Sequence, residues 1–313
     1  MNEKIKIIYL ATPDIAIKSF RFFIESNDYD VCALVTQPQR GQTRGKTKEH
    51  SIVKFARENN IKIFEPEKIS KDRELIDVLK SIKPDFFVTF AFGQILSQEV
   101  IDIPKFATIN LHASLLPKLR GANPIAQSII EGHKFTGITT MKTVLELDAG
   151  DICLQEKIEI PEDMNVVELM EKISDISPEL LDRTLKGLYK GTLKTIPQND
   201  REATFTKKLK KEEKIINWDS DNYTLHNKIR GMYLINTNHT TYNNKIVQII
   251  KTIPYNADEG KNGEIINIEK TGITVKCKNG GLKIIKVKPE GKGEMDAFSW
   301  ANGARIKIGD MFI

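Results

Sequence analysis

Apolar residues in the first part of the chain fall in short runs separated by amphipathic stretches. Residues 5–10, 31–36, 61–64, 85–91 and 108–111 read as strands. Between them, residues 14–26, 52–58 and 75–82 read as helices, their apolar side chains gathered on one face. Alternation of this kind predicts an α/β domain, a Rossmann-like and mostly parallel sheet with helices on both faces. Residues 138–144 and 152–160 form a later strand pair. Residues 166–189 make a long closing helix, which Ser177-Pro178 is expected to interrupt or kink.

Beyond this point the rhythm changes. Residues 191–203 are polar, contain Pro197 and read as part of a linker over 191–206. Short strands at 246–252, 264–268, 272–277 and 282–288 then alternate with turns such as Asn279-Gly280-Gly281. That spacing predicts a smaller C-terminal β-barrel, OB-like, over 207–313. The first domain is accordingly assigned to residues 1–190.

A length of 313 residues suits two domains. Charge sharpens the division: residues 204–313 hold 19 lysines and arginines against 12 acidic residues, while the whole chain carries only +5. A basic C-terminal third points to an anionic macromolecular partner or to a solvated lysine-rich surface. No apolar run approaches the roughly 20 residues needed to span a bilayer, so no membrane partner is expected. Met1-Asn2-Glu3-Lys4 lacks the character of a signal peptide, so a cytoplasmic location is expected. Cys32, Cys153 and Cys277 are far apart and lie in no metal-binding pattern, which points to buried thiols and no metal site.

The densest chemistry lies in residues 109–121, INLHASLLPKLRG. Asn110 and His112 are two apart at the end of a predicted strand, so their side chains project to one side. Carboxyl ends of strands border the ligand crevice of an open parallel sheet. An amide and an imidazole there could both donate to a developing oxyanion, or could merely terminate the strand. Asp148 sits in the turn LDAGD at 147–151, where a carboxylate could orient His112 or take a proton through water. Taken alone, an acid in such a turn is equally ordinary turn chemistry.

Read together, these residues resemble the folate-dependent formyltransferase family. The run N-x-H-x-S-L-L-P-x-x-R-G over residues 110–121 resembles its signature, and Asp148 follows Asn110 by 38 residues in an L-D-x-G-D turn. The resemblance implies that Asn110, His112 and Asp148 are catalytic. It places a 10-formyltetrahydrofolate donor against Phe90, Ala91, Phe92 and Gly93 and against Ser114, Leu115, Leu116 and Pro117. It implies no metal.

Within the family, the chain resembles the branch that formylates methionyl initiator tRNA. Ala11-Thr12-Pro13-Asp14 stands where that branch usually has Gly-Thr-Pro, and Gly121-Ala122-Asn123-Pro124 resembles its R-G-A-x-P-I continuation. Arg40, Arg44, Lys46 and Lys48 follow Gln37-Pro38 in a long loop. With Lys207 and Lys208 they are the expected tRNA contacts, positioning phosphates rather than reading bases. One departure is the absence of the branch's N-P-W-P segment after Ile229-Arg230, where GMYLIN stands instead. The implied activity is formyl transfer to the α-amine of methionyl-tRNA by a monomer. A sugar-nucleotide N-formyltransferase with the same donor, a formyl-folate hydrolase and a non-catalytic RNA-binding protein remain as alternatives.

Overall fold

A computed structural model describes residues 3–39, 49–209, 211–235 and 237–313, with the side chain of Lys211 excepted. Their chain order begins β1 (Ile5–Ala11), α1 (Ile17–Glu25), β2 (Tyr29–Val35), α2 (Ser51–Glu58), β3 (Lys62–Phe64), α3 (Arg73–Ile82), β4 (Phe86–Phe90) and α4 (Gln98–Ile101). It continues through β5 (Ala107–His112), the two-residue β6 (Arg120–Gly121), α5 (Pro124–Ile130), β7 (Phe135–Lys142), β8 (Ile152–Glu159), α6 (Val166–Tyr189) and the short β9 (Phe205–Thr206). The last third holds α7 (Asn222–Met232), β10 (His239–Tyr242), β11 (Lys245–Tyr255), β12 (Ile265–Glu269), β13 (Gly272–Lys276), β14 (Gly281–Pro289), β15 (Met295–Asp296) and α8 (Ala297–Ala304).

Two compact units emerge, interleaved along the chain. The first comprises residues 1–121, 137–158 and 170–205; the second comprises 122–136, 159–169 and 206–313. Residues 191–205, polar in sequence, thus belong to the first unit, where Ile196 exchanges main-chain hydrogen bonds with Ile152 at 2.8 and 2.9 Å.

The first unit is built on a seven-stranded sheet of order β3-β2-β1-β4-β5-β7-β8. Its first five strands are parallel, and β7 runs antiparallel to β5. Alternation along β1 sends side chains to both faces. Ile8 and Leu10 join Leu75, Ile76 and Leu79 of α3 and Val100 and Ile101 of α4 in one buried cluster. Tyr9, on the other face, sets its ring tilted against those of Phe20 and Phe23 on α1, with centroids 5.2 and 6.1 Å apart. The expected helices on both faces are therefore present. Strand order reverses at β1, whose neighbours are β2 and β4, and the carboxyl ends of β1 and β4 frame the crevice that such a reversal opens.

Pro178 does not break α6, which runs unbroken for 24 residues. A proline cannot donate to the carbonyl four residues back. Here the Ser177 hydroxyl donates to Ser174 O at 3.0 Å and supplies the missing bond. The expected interruption is thereby corrected.

The second unit carries an antiparallel sheet of order β10-β11-β14-β13-β12, with β15 on β14. Its two edges are joined through the last residues: Thr241 and Ile313 exchange bonds at 2.8 and 3.0 Å, and Phe312 N donates to Gly263 O at 2.8 Å, just before β12. This closure makes a barrel. Trp218 and Trp300 stack on either side of Phe312, centroids 5.7 and 6.1 Å away, inside the core. Helix α7 takes in Gly231 and Met232, the first two residues of the stretch where the N-P-W-P segment was expected, and packs on α5. A Cβ at its Gly231 would lie 2.7 Å from Ile130 Cγ1 and 3.1 Å from Ala126 O, so only glycine allows this close approach.

Candidate active site

Strand β5 ends in the first unit with Asn110, Leu111 and His112 beside β4 on one side and β7 on the other. Thr89 lies opposite Asn110, and its hydroxyl donates to Asn110 Oδ1 at 2.8 Å. That bond fixes the amide: its oxygen is held by β4, and its Nδ2 end is the donor edge. His112 is 6% exposed, so its hydrogen bonds are made with the protein itself. Its Nε2 lies 2.9 Å from Leu119 O. A carbonyl only accepts, so this nitrogen carries a proton and donates. Nδ1 then faces Asp148 Oδ2 at 3.6 Å.

Asp148 occupies the turn between β7 and β8 with a left-handed backbone, φ +50°. Its Oδ2 also accepts the N–H of Gly121 at 2.8 Å. The turn is tight because Gly150 has no side chain: a Cβ there would lie 1.7 Å from Lys142 O. Asn110 and His112, two residues apart on β5, thus meet Asp148 from the turn between β7 and β8 at one strand end. With Nε2–H committed to Leu119, the approach of Nδ1 to a carboxylate is favourable only when a proton lies on the pair. A pair so placed can hold a proton, and the Asn110 donor edge can meet an oxygen that gains negative charge.

A second layer escaped the sequence reading. Gln198 Nε2 donates to Asp148 O at 2.8 Å and to Gly150 O at 2.7 Å. Its Oε1 accepts from Arg120 Nε at 3.0 Å and Nη2 at 2.8 Å. Arg120 Nη2 also meets Asp200 Oδ1 at 2.7 Å. Arg120 belongs to the 110–121 run, but its glutamine partner lies 78 residues on in a polar segment without periodicity. Thr89 and Gln155 escaped likewise; Gln155 donates to Leu116 O and to Thr139 Oγ1, both at 2.9 Å.

The two segments expected to hold folate are both ordered by neighbours. After β4, Phe90 and Phe92 are buried while Ala91 and Gly93 are exposed, with φ of +52° and +77°. Phe92 O accepts from Gln37 Nε2 at 2.8 Å and Thr12 Oγ1 at 3.2 Å. Ser114 spends its hydroxyl on Lys118 O at 2.6 Å, and Leu116 is buried, which leaves Leu115 and Pro117 as the part-exposed members of that run. Lys207 and Lys208 are exposed in the second unit. Arg40, Arg44, Lys46 and Lys48 lie outside the described residues. Among the described residues no cluster of three or more His, Cys, Asp or Glu is placed to hold a metal ion, and no helix is long and apolar enough to cross a membrane. Burial pushes the Cys153 thiol up to about 12, so it is no nucleophile at neutral pH.

Residues 6–185 match the formyl transferase family, and residues 208–305 match the C-terminal domain of formyl transferases. The chain belongs to the formyl transferase family and is an enzyme of that class. It is similar over nearly its whole length to proteins named methionyl-tRNA formyltransferase. That of Clostridium botulinum is 43% identical over 92% of this chain and 93% of its own. That of Clostridium acetobutylicum is 40% identical over 97% of this chain and 98% of its own. A solved N-formyltransferase from Helicobacter canadensis, in complex with folinic acid and dTDP-3-aminofucose, has a TM-score of 0.66 at 18% identity. It covers 90% of this chain and 98% of its own, and at that identity the likeness is one of fold. Gln198 falls between the two family matches.

Proposed function

We propose that the protein transfers the formyl group of 10-formyltetrahydrofolate to the α-amino group of methionine carried on initiator tRNA. The observation that carries the chemistry is the gathering of the Asn110 donor edge and the His112–Asp148 pair at the end of β5. The acceptor is carried by the near-full-length likeness to methionyl-tRNA formyltransferases. A sugar-nucleotide acceptor is favoured less, because the likeness to the Helicobacter canadensis enzyme stops at 18% identity.

The folate fits the residues present. Ala91 and Gly93 are exposed on either side of the buried Phe92 at the end of β4, which leaves this segment accessible to a flat heteroaromatic ring. The methionyl amine, unprotonated, attacks the formyl carbon. A carbon–nitrogen bond forms to the methionyl nitrogen, the bond to N10 breaks, and the amine's proton ends on N10. Asn110 Nδ2 donates to the oxygen as it gains charge. Donors of this kind lower a barrier by roughly 3 kcal/mol. His112 and Asp148 hold the amine's proton in transit, and no side chain is acylated. His112 reaches the oxygen only by exchanging its bond to Leu119. Both residues were expected to donate to that oxygen; the geometry supports Asn110 as donor and His112 as half of the proton-handling pair.

The test offers purified enzyme and 10-formyltetrahydrofolate with methionyl initiator tRNA, a dTDP-amino sugar, or no amine. Formylated methionyl-tRNA is expected in the first arm alone. Formylation of the sugar without the tRNA, or formate release without any amine, overturns the reading.

A further inference from the structure

We infer that Gln198 is a positioning residue for the reaction, a clamp that sets where the Asp148 carboxylate stands. The inference rests on the proposed role of Asp148 and goes beyond it by assigning a function to the segment that joins the two family matches.

Asp148 is held between two pieces of chain. One is the β6 corner, whose Gly121 N–H binds its carboxylate at 2.8 Å; the other is the turn that carries its own backbone. Gln198 is bonded to both. Its two amide hydrogens go to the turn, at Asp148 O and Gly150 O, and its oxygen goes to the corner, at Arg120 Nε and Nη2. Met141 Sδ lies 3.9 Å from the same nitrogen. The width of one primary amide thus fixes the separation of corner and turn, and with it the separation of Asp148 from His112.

The chemistry selects glutamine. Two donors on one end and an acceptor with two lone pairs on the other match two carbonyls and a two-pronged guanidinium, and no donor or acceptor is left over. Glutamate has no donors and would set a carboxylate against both carbonyls. Asparagine is one methylene too short to span the gap. Arg120 is 1% exposed, so the corner half of the clamp is buried and rigid. Asp200, the next acid along the same segment, holds the guanidinium from its outer side at 2.7 Å. Each of these bonds lies within the first unit.

The experiment compares wild type, Gln198→Glu, Gln198→Met, Asp148→Asn and Thr195→Val in formyl transfer. Thr195 belongs to the same segment but bonds Asp151, at 2.9 Å, and so controls for loosening of the segment alone. A carboxylate displaced by about 1 Å is expected to cost kcat on the order of 100-fold. Gln198→Glu is expected to show that loss with unchanged KM for both substrates. Gln198→Met should lose less, and both should displace the limbs of the pH profile of kcat/KM. Thr195→Val should keep the wild-type profile. Rates are expressed per folded molecule, with the folded fraction measured by circular dichroism. A Gln198→Met protein with wild-type kcat and pH profile overturns the clamp while an inactive Asp148→Asn leaves the catalytic reading standing. A fully active Asp148→Asn overturns that reading instead. A displaced profile in Thr195→Val equal to that of Gln198→Glu also overturns the clamp, because general loosening then accounts for the effect.

Discussion

The carboxylate of Asp148 takes the main-chain N–H of Gly121 at 2.8 Å, and the same oxygen looks toward an imidazole nitrogen 3.6 Å away. One atom is therefore both anchored by the main chain and turned to the imidazole. Asp148→Asn keeps the shape and tolerates the left-handed backbone, since asparagine is among the residues that enter that region readily. Turnover is expected to fall by roughly 10²–10⁴ while methionyl-tRNA affinity and melting temperature stay near wild type. Losses of equal size in binding and turnover would assign the residue to folding or docking instead.

Thr89 orients the Asn110 amide through one hydrogen bond. Thr89→Val removes the hydroxyl without changing the shape of the strand. A net hydrogen bond is worth about 1 kcal/mol, so kcat should fall roughly fivefold. Asn110→Ala, which removes the donor itself, should fall by roughly 10²–10³. A Thr89→Val loss as deep as that of Asn110→Ala would mean that the hydroxyl meets the substrate directly.

A Cβ added at Gly150 would lie 1.7 Å from Lys142 O. Gly150→Ala must push the two strand ends apart, at a cost of about 2–4 kcal/mol, and the Asp148 turn moves with them. Thermal unfolding and turnover should both suffer. A stable, active Gly150→Ala protein would show that the turn relaxes freely.

Burial holds the His226 imidazole below its ordinary value, and Arg230 pushes the same way against the Glu162 carbonyl and the charges of Glu162 and Asp163. In the unfolded chain this histidine takes up a proton near about 6.5, whereas in the folded protein it does so lower. The unfolded state therefore binds more protons as pH falls through that window, and stability drops. His226→Gln should melt lower at neutral pH but lose less between about pH 7 and about pH 5. His239, lowered mainly by burial as well, keeps part of the slope in place. A slope identical to wild type would remove His226 from the account.

For the basic residues, Arg44→Ala and a Lys207→Ala/Lys208→Ala double variant should raise KM for tRNA and leave KM for folate alone. Each cation removed from a phosphate should lower the salt dependence of binding by roughly one unit of slope. Unchanged tRNA affinity at low and high salt would contradict their role.

The parallel sheet was legible because β1, β2 and β4 are nearly uninterrupted apolar runs, as strands covered on both faces must be. Asn110, His112 and Asp148 stood out only through the family resemblance, since an N-x-H pair and an acid in a glycine turn are each ordinary when taken alone; the fold then sets His112 3.6 Å from Asp148. Helices α5, α7 and α8 were not foreseen. Helix α5 starts at Pro124 and is only seven residues long. Helix α7 holds Tyr, Thr, His, Asn and a glycine near its end, weak helix formers that depend on the Asp221 cap and on packing. Helix α8 likewise leans on its Asp296 cap. Pro178 misled because its remedy, a serine hydroxyl one residue before it, leaves no mark on the apolar pattern. Gln198 stayed hidden for a different reason: its partners lie 48, 50 and 78 residues away, so only the folded chain brings them together.

The chain passes back and forth between its two units, since residues 122–136 and 159–169 fold with the last hundred. Helix α7 rests on α5 at Gly231, and Arg230 reaches the carbonyls of Pro161 and Met164 at 3.1 and 2.8 Å. No single scission therefore yields two sound halves. Fragment 1–190 would present an orphaned α5, and fragment 207–313 would lack part of its own wall. The terminal barrel is not a detachable cassette, and grafting it onto another scaffold requires transplanting both inserted strips with it.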